Sequence, residues 1–416
     1  MREVPEHTIL RDDGVFKDRL KHHMFVAGLP ASAFTLMNVC KASQIPFAPL
    51  VSNDHGRLIL EEFNRIFNPQ VRYSTKLVFV HEGLPEDWKM SGTLGKGHNA
   101  WMREFPDINP HTPLFLLNGD TPLLSRLDET VTDPDLDKYK AIMEFNCRET
   151  IFGVDFDQRE DNGWWHRRYH AIEVARRLMY KEGNGIALDY LAARPFLDPG
   201  YDARKSSEKN NEKVVKKLIN DVILKEGRWK TGLRLIVKHF GTLLPVAVRH
   251  TLKNYIVPET IREKHVFKHR IPFETWEDFA GFVLGGPVKI KPHSDVTKLI
   301  DIDSYEDWDM VCGLFELAEK FGYKKSDVYP HWDELQEMRS AVPGLIERGV
   351  RMADLEYIRY LFSLHTNLEG KFPYDENGNY KSKIWPEEQI RKGIEYLARM
   401  NAGFKQKELQ TTTSVA

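Results

Sequence analysis

Short apolar runs and amphipathic stretches alternate along the first third of the chain. HMFVAG (residues 23–28) reads as a buried strand running into a turn at Gly28-Leu29-Pro30, and a helical pattern follows over 31–43. An apolar segment at 46–51 leads into a helix over 57–67, where Leu58, Ile59, Leu60 and Phe63 group, and residues 75–81 are rich in β-formers. A helix over 95–105 is entered through the glycine-rich stretch 91–97. The continuous apolar run 113–117, which ends in Asn118-Gly119-Asp120, has the shortness and uniformity of a central parallel strand. Such alternation predicts an α/β fold, a doubly wound sheet with helices on both faces.

From 164 to 264 the patterns become helical with polar interruptions, and little strand signal is present, so Gly183-Asn184-Gly185 reads as a turn. Strand signal returns at 287–291 and 297–302, an amphipathic helix covers 305–321, and helical patterns follow at 332–341, 352–368 and 386–400. Pro386 with Glu387 and Glu388 marks the start of the last. The expected organisation is an α/β core in two parts, 1–160 and 265–325, a helical insertion at 161–264 and a C-terminal helical appendage at 326–416. The appendage is a candidate for homo-oligomer contacts.

Composition narrows the function classes. Among 416 residues, 59 Lys and Arg stand against 61 Asp and Glu, which leaves no global field to attract nucleic acid. Cys40, Cys147 and Cys312 are scattered, offering neither a disulfide framework nor a zinc spacing, and with no apolar leader or membrane-length run the expectation is a cytoplasmic protein. The stretch 231–257 is apolar with interspersed basic residues, as in helices lying on membranes. Gly241 and Pro245 interrupt it, and burial within the insertion is the favoured expectation there.

Three places can carry chemistry. Asp120 follows an apolar strand, where open α/β sheets handle phosphates and metals, although a helix N-cap would use the same residue. Asp301 and Asp303 fall on one face of an alternating strand and would repel unless a cation lay between them; magnesium, which takes one or two carboxylates plus substrate phosphates, suits them if Asp120 is near. In the third, residues 92–98, glycines free backbone amides at a helix start beside Lys96 and His98.

GTLGKGHNAW, LFLLNGDTPLL and KLIDIDSYEDW, in that order, resemble the nucleotidyltransferases of the sugar-nucleotide pyrophosphorylase and molybdopterin-guanylyltransferase-like group. The resemblance spans 23–150 and 265–325. It implies a Rossmann-like nucleotide-diphospho-sugar transferase sheet, and a reaction joining a nucleoside triphosphate to a phosphorylated, sugar-phosphate-like acceptor with release of pyrophosphate. Carried over by position, Asp120 would hold Mg2+ with the Asp301/Asp303 strand, while Ala27, Gly28, Gly97, His98, Asn118 and Gly119 would line the nucleotide pocket. Two departures stand out: the stretch 26–32 has no arginine and the stretch 46–50 no lysine. Lys41 and Arg57 are candidate replacements. So is the cluster Lys225, Arg228 and Lys230, for which a solvated basic face is the simpler account and from which Lys230 is the candidate catalytic cation.

Two alternatives accompany this reading. Asp155-Phe156-Asp157 fits a metal-dependent glycosyltransferase of similar sheet topology, and the missing basic residues fit a catalytically inactive nucleotide-binding protein.

Overall fold

A computed structural model describes residues 23–42, 45–83, 89–124, 127, 136–147, 150–151, 154–155, 172–175, 178–205, 227–251, 272–293, 297, 300, 302, 305–350, 373–374, 380–381 and 385–415. It is a mixed α/β structure of helices and small sheets. Two short strands open it, β1 (Phe25–Val26) and β2 (Leu29–Pro30), paired antiparallel with Val26 opposite Leu29. The two-residue turn between them carries positive φ at both positions, 48° at Ala27 and 81° at Gly28. A twisted hairpin favours this geometry, but it is costly for alanine. Helix α1 (Ala31–Lys41) follows directly.

β3 (Phe47–Ser52) and β4 (Lys76–His81) form a parallel pair joined through α2 (Asp54–Phe67). The Asn53 side chain caps α2 by accepting from the Gly56 amide at 3.2 Å. Ile59, Leu60, Phe63 and Phe67 make its buried face, and Asn68, left-handed at φ 44°, ends it. After α3 (Met90–Glu104) comes β5 (Leu114–Leu117). β5 belongs to a second, mixed sheet with β6 (Ala141–Cys147), β7 (Ile172–Ala175), β8 (Leu178–Leu188) and β9 (Val288–His293).

The order in that sheet is β9-β6-β8-β5, with β7 pairing β8. β8 runs antiparallel to both β5 and β6, while β9 is parallel to β6. Strands β5, β6 and β9 therefore point the same way, and one reversed strand separates β5 from the others. This corrects two expectations. The run before Asp120 pairs, among the described residues, with an antiparallel neighbour, and residues 172–175 and 178–188 are strand within the supposed helical insertion. Gly183-Asn184-Gly185 is a register shift within β8, between Glu182 and Ile186, instead of a turn.

Beyond β8 lie α4 (Tyr190–Lys205), α5 (Trp229–Lys238), α6 (Phe240–Thr251) and α7 (Phe273–Leu284). α8 (Tyr305–Glu316) leads into short helical pieces, Lys325–Val328, Trp332–Leu335, Gln336–Ala341 and Val342–Glu347, and α9 (Glu387–Val415) closes the chain. These C-terminal elements are not an appendage to the first core but part of it. Met24, Phe34, Phe63 and Phe67 share one apolar cluster with Trp308, Phe315, Tyr329, Trp332, Ile390 and Leu397. The Tyr329 hydroxyl donates to the Phe34 carbonyl at 3.0 Å and to Asn38 Oδ1 at 2.6 Å, and Trp308 Nε1 donates to the Phe25 carbonyl at 2.9 Å.

Candidate site at the carboxyl end of β5

The opening hairpin and α1 stand between the two sheets. His23 Nε2 lies 3.2 Å from Ser52 Oγ at the end of β3, and Thr35 Oγ1 donates to the Gly119 carbonyl at 3.3 Å just beyond β5. Asn118-Gly119-Asp120 thus leaves β5 beside the first turns of α1. Thr121 fixes the exit, its hydroxyl donating to the Asn118 carbonyl at 2.9 Å, and residues 121–124 are buried. Asn118 is exposed, whereas Gly119 and Asp120 are half-buried. Across the sheet, Gly185 of β8 pairs with Leu117, the last residue of β5. A β-carbon on Gly185 would lie 2.8 Å from the Phe115 ring, so the ring fixes glycine there.

The two acidic segments meet. The Ile302 amide donates to the Asp120 carbonyl at 3.0 Å, and Ile300 and Ile302 are both buried. Asp301 and Asp303 themselves lie outside the described residues, one on each side of Ile302. Among the described residues no group of three or more His, Cys, Asp or Glu is arranged to hold a metal. Asp120 carries the hard oxygen ligand type that magnesium takes, and the described link between the two segments is the Ile302–Asp120 backbone bond.

The hairpin turn has a cation that the sequence did not reveal. Arg339, from the helical turn Gln336–Ala341, donates from Nη2 to the Ala27 carbonyl at 3.0 Å. Its guanidinium lies 3.7–3.8 Å from where a Gly28 β-carbon would stand. The side chain is exposed on its outer side and lies over the Trp332 ring, 5.9 Å from the centroid. Only the placement of the C-terminal helices in the first core could have disclosed this pairing, since the two residues are separated by most of the chain. The replacements read from the sequence are engaged elsewhere: Lys41 pairs with Glu334 at 2.5 Å, and Arg57 with Asp54 and Glu61 at 3.2 and 2.8 Å.

Lys230 belongs to the other edge of the second sheet. Its helix, α5, packs on α7, which packs on β9, three strands from β5 in the sheet order. Its ammonium lies over the Trp229 ring at 5.6 Å. Of its cluster, Arg228 donates to the Phe282 carbonyl at 2.8 Å, and Lys225 lies outside the described residues.

The glycine-rich stretch is also corrected. Gly92, Gly95 and Gly97 sit inside the continuous helix α3, where the backbone amides serve the helix ladder instead of forming an open loop. A β-carbon on Gly95 would come within 2.4 Å of the Tyr190 hydroxyl, and one on Gly97 within 3.5 Å of Val51. Glycine at 95 lets α3 approach α4, whereas the contact of Gly97 with β3 is an ordinary one. His98 is buried, with Nε2 3.0 Å from the Pro110 carbonyl and its ring 4.9 Å from that of Tyr190. Lys96 reaches the carboxyl end of β4, donating to the Glu82 carbonyl. Glu82 accepts from Thr93 Oγ1 at 2.7 Å; burial raises its carboxyl above the usual range against the opposing pull of Thr93 and Lys96.

Among the described side chains, neither cysteine is open to solvent. Cys40 and Cys312 are buried, and burial pushes the Cys40 thiol up to about 12, away from thiolate reactivity. Asp155 of the candidate Asp-x-Asp lies in a short strand pair, Thr150–Ile151 with Val154–Asp155, and Phe156 and Asp157 lie outside the described residues. Comparison of the chain with family models, with curated proteins and with solved structures returns no match.

Proposed function

We propose that the chain is a nucleotidyltransferase that joins a nucleoside triphosphate to a phosphorylated, sugar-phosphate-like acceptor and releases pyrophosphate. The observation that carries the reading is the bond between the Ile302 amide and the Asp120 carbonyl, 3.0 Å, which joins two acidic segments far apart in sequence at the carboxyl end of a strand. Chance packing of two unrelated loops would have no reason to bring together the two motifs singled out for the same ion. Asp120, with Asp301 and Asp303, would hold magnesium, which when bound neutralises charge on the phosphate oxygens.

The remaining work falls to positioning. The Ala27-Gly28 turn leads straight into α1, and the Arg339 guanidinium beside it offers fixed positive charge to a polyphosphate, in place of the arginine missing from 26–32. Asn118 is exposed beside Gly119, where a ligand can approach the backbone. An acceptor phosphate is ionised at neutral pH, so it attacks the α-phosphorus in line without a general base, the bond to the bridging oxygen breaks, and pyrophosphate departs.

Thermal melting of the wild type with each of the four nucleoside triphosphates, with and without magnesium, tests the reading. One triphosphate at 100 times its dissociation constant raises stability by about 2.7 kcal/mol in the presence of magnesium. Asp120→Asn abolishes the magnesium-dependent part, and Arg339→Ala weakens binding of the same triphosphate. If no triphosphate shifts the melting, or if Asp120→Asn responds like the wild type, the assignment is wrong.

A further inference from the structure

Seven of the eleven large hydrophobic side chains that are exposed on the described surface lie on two consecutive helices: Trp229, Leu233, Ile236, Val237, Phe240, Leu244 and Val248. Their spacing, steps of three and four residues apart from the adjacent Ile236 and Val237, places them along one side of α5 and the following α6. The arrangement inverts the usual one for a surface helix, whose apolar side covers the core. α5 instead turns its small and polar side to α7. Gly232 and His239 are buried, with His239 Nε2 2.7 Å from Asp278 Oδ2 and its Nδ1 3.1 Å from Thr275 Oγ1. Lys238 adds ion pairs to Asp278 at 2.6 Å and Glu274 at 2.8 Å. The polar side is thus clamped in place, and the apolar side faces out by construction.

Charge specifies the occupant. From 227 to 258 the sequence contains no Asp or Glu and six Lys and Arg, in a chain whose net charge is −2. Lys238 is neutralised by α7, but Lys230 and Arg234 flank the apolar row without an acidic partner among the described residues, and both are exposed. A second copy of this face would set those cations against their own equivalents with no acid in the stretch to offset them. An anionic lipid surface answers both features, because apolar side chains enter the acyl boundary while lysine and arginine reach back to the headgroups. No described helix is long and apolar enough to cross a membrane, so α5 and α6 would lie in the plane of the surface.

We infer that α5 and α6 form a peripheral docking face for anionic membranes, independent of the reaction proposed for the β5 edge. The test is flotation of the full chain with vesicles of phosphatidylcholine alone and of phosphatidylcholine mixed with phosphatidylglycerol, with light scattering to give the oligomeric state. The chain floats with the mixed vesicles, and Leu233→Ser with Val237→Ser removes it from them. Lys230→Gln and Arg234→Gln each weaken binding about fivefold, the contribution of one surface cation. The inference is overturned if the wild type stays unbound on mixed vesicles or if the double serine variant floats as well as the wild type. It is equally overturned if the wild type is a dimer that those serines convert to a monomer, for then a second copy covers the face.

Discussion

Two helical regions that each carry a row of large apolar side chains treat water in opposite ways. Around α1 the apolar groups close on one another: Phe34 is fully buried with its ring 5.6 Å from Phe315, 5.2 Å from Tyr329 and 6.1 Å from Trp332. On α5 and α6 the apolar row is exposed, and the buried contacts are His239 with Asp278 and Thr275. Apolar content is therefore a poor guide to which face of a helix is covered. What accompanies the exposed row here is a polar side whose buried His239 has partners, Asp278 and Thr275.

The largest expected effect tests the closed region. Phe34→Ala removes a ring shared by residues from both ends of the chain and leaves a cavity at their junction, a loss of about 4 kcal/mol. Chemical denaturation reads it directly. A loss below about 1 kcal/mol would mean that the C-terminal helices do not close on α1.

An intermediate effect belongs to a polar anchor in the second sheet. Asp189 is buried at the start of α4, where Oδ1 accepts from the Ala192 amide at 3.0 Å and Oδ2 is met by Lys140 at 2.6 Å and His111 at 2.9 Å. Burial pushes its carboxyl up, but the bonds from Lys140, Ala192 and His111 together outweigh that and hold it below its ordinary value of 3.8. A carboxyl lowered on folding contributes stability that is complete above its unfolded value and disappears as pH falls through the folded one. Lys140→Met therefore costs about 2 kcal/mol at neutral pH, and the difference from wild type closes only as pH falls through the folded-state value of Asp189, which lies below 3.8. Denaturant midpoints measured at pH 7 and at a series of values descending below 3.8 check this, and a cost that stays constant down to acid unfolding rejects the ion pair as its source.

Periodicity disclosed the local elements well. The buried face of α2, the strand-turn-helix opening and the start of α9 at Pro386 all follow from spacing and caps. Pairing was harder to read. β8 includes Lys181, Glu182 and Gly183-Asn184-Gly185, which break its apolar alternation, so a strand in the middle of the second sheet looked like helix and turn. The glycines of α3 looked like a loop because glycine is a poor helix former, whereas the close approach of Tyr190 requires glycine at 95. At the β5 edge, Asp120 and the 300–302 segment could be picked from sequence. Arg339 could not, because no local pattern records which helix returns to the first turn.

The smallest expected effect is the sharpest test of the comparison. Leu233 is 54% exposed and Val237 68% exposed, so each has lost little contact with water on folding. Replacing both by serine removes only part-buried area, and the helix-propensity cost, a few tenths of a kcal/mol, falls on Leu233 alone, since serine is no poorer a helix former than valine. The double variant should therefore melt within about 1 kcal/mol of the wild type while Phe34→Ala does not. Denaturation without lipid reads the folded chain alone. If the two serines there cost as much as a core truncation, the α5 row is covered by the chain itself, and the contrast between the two regions disappears together with the docking face. If they cost almost nothing, the apolar row is surplus to folding, and some other process must account for seven large apolar groups held in water.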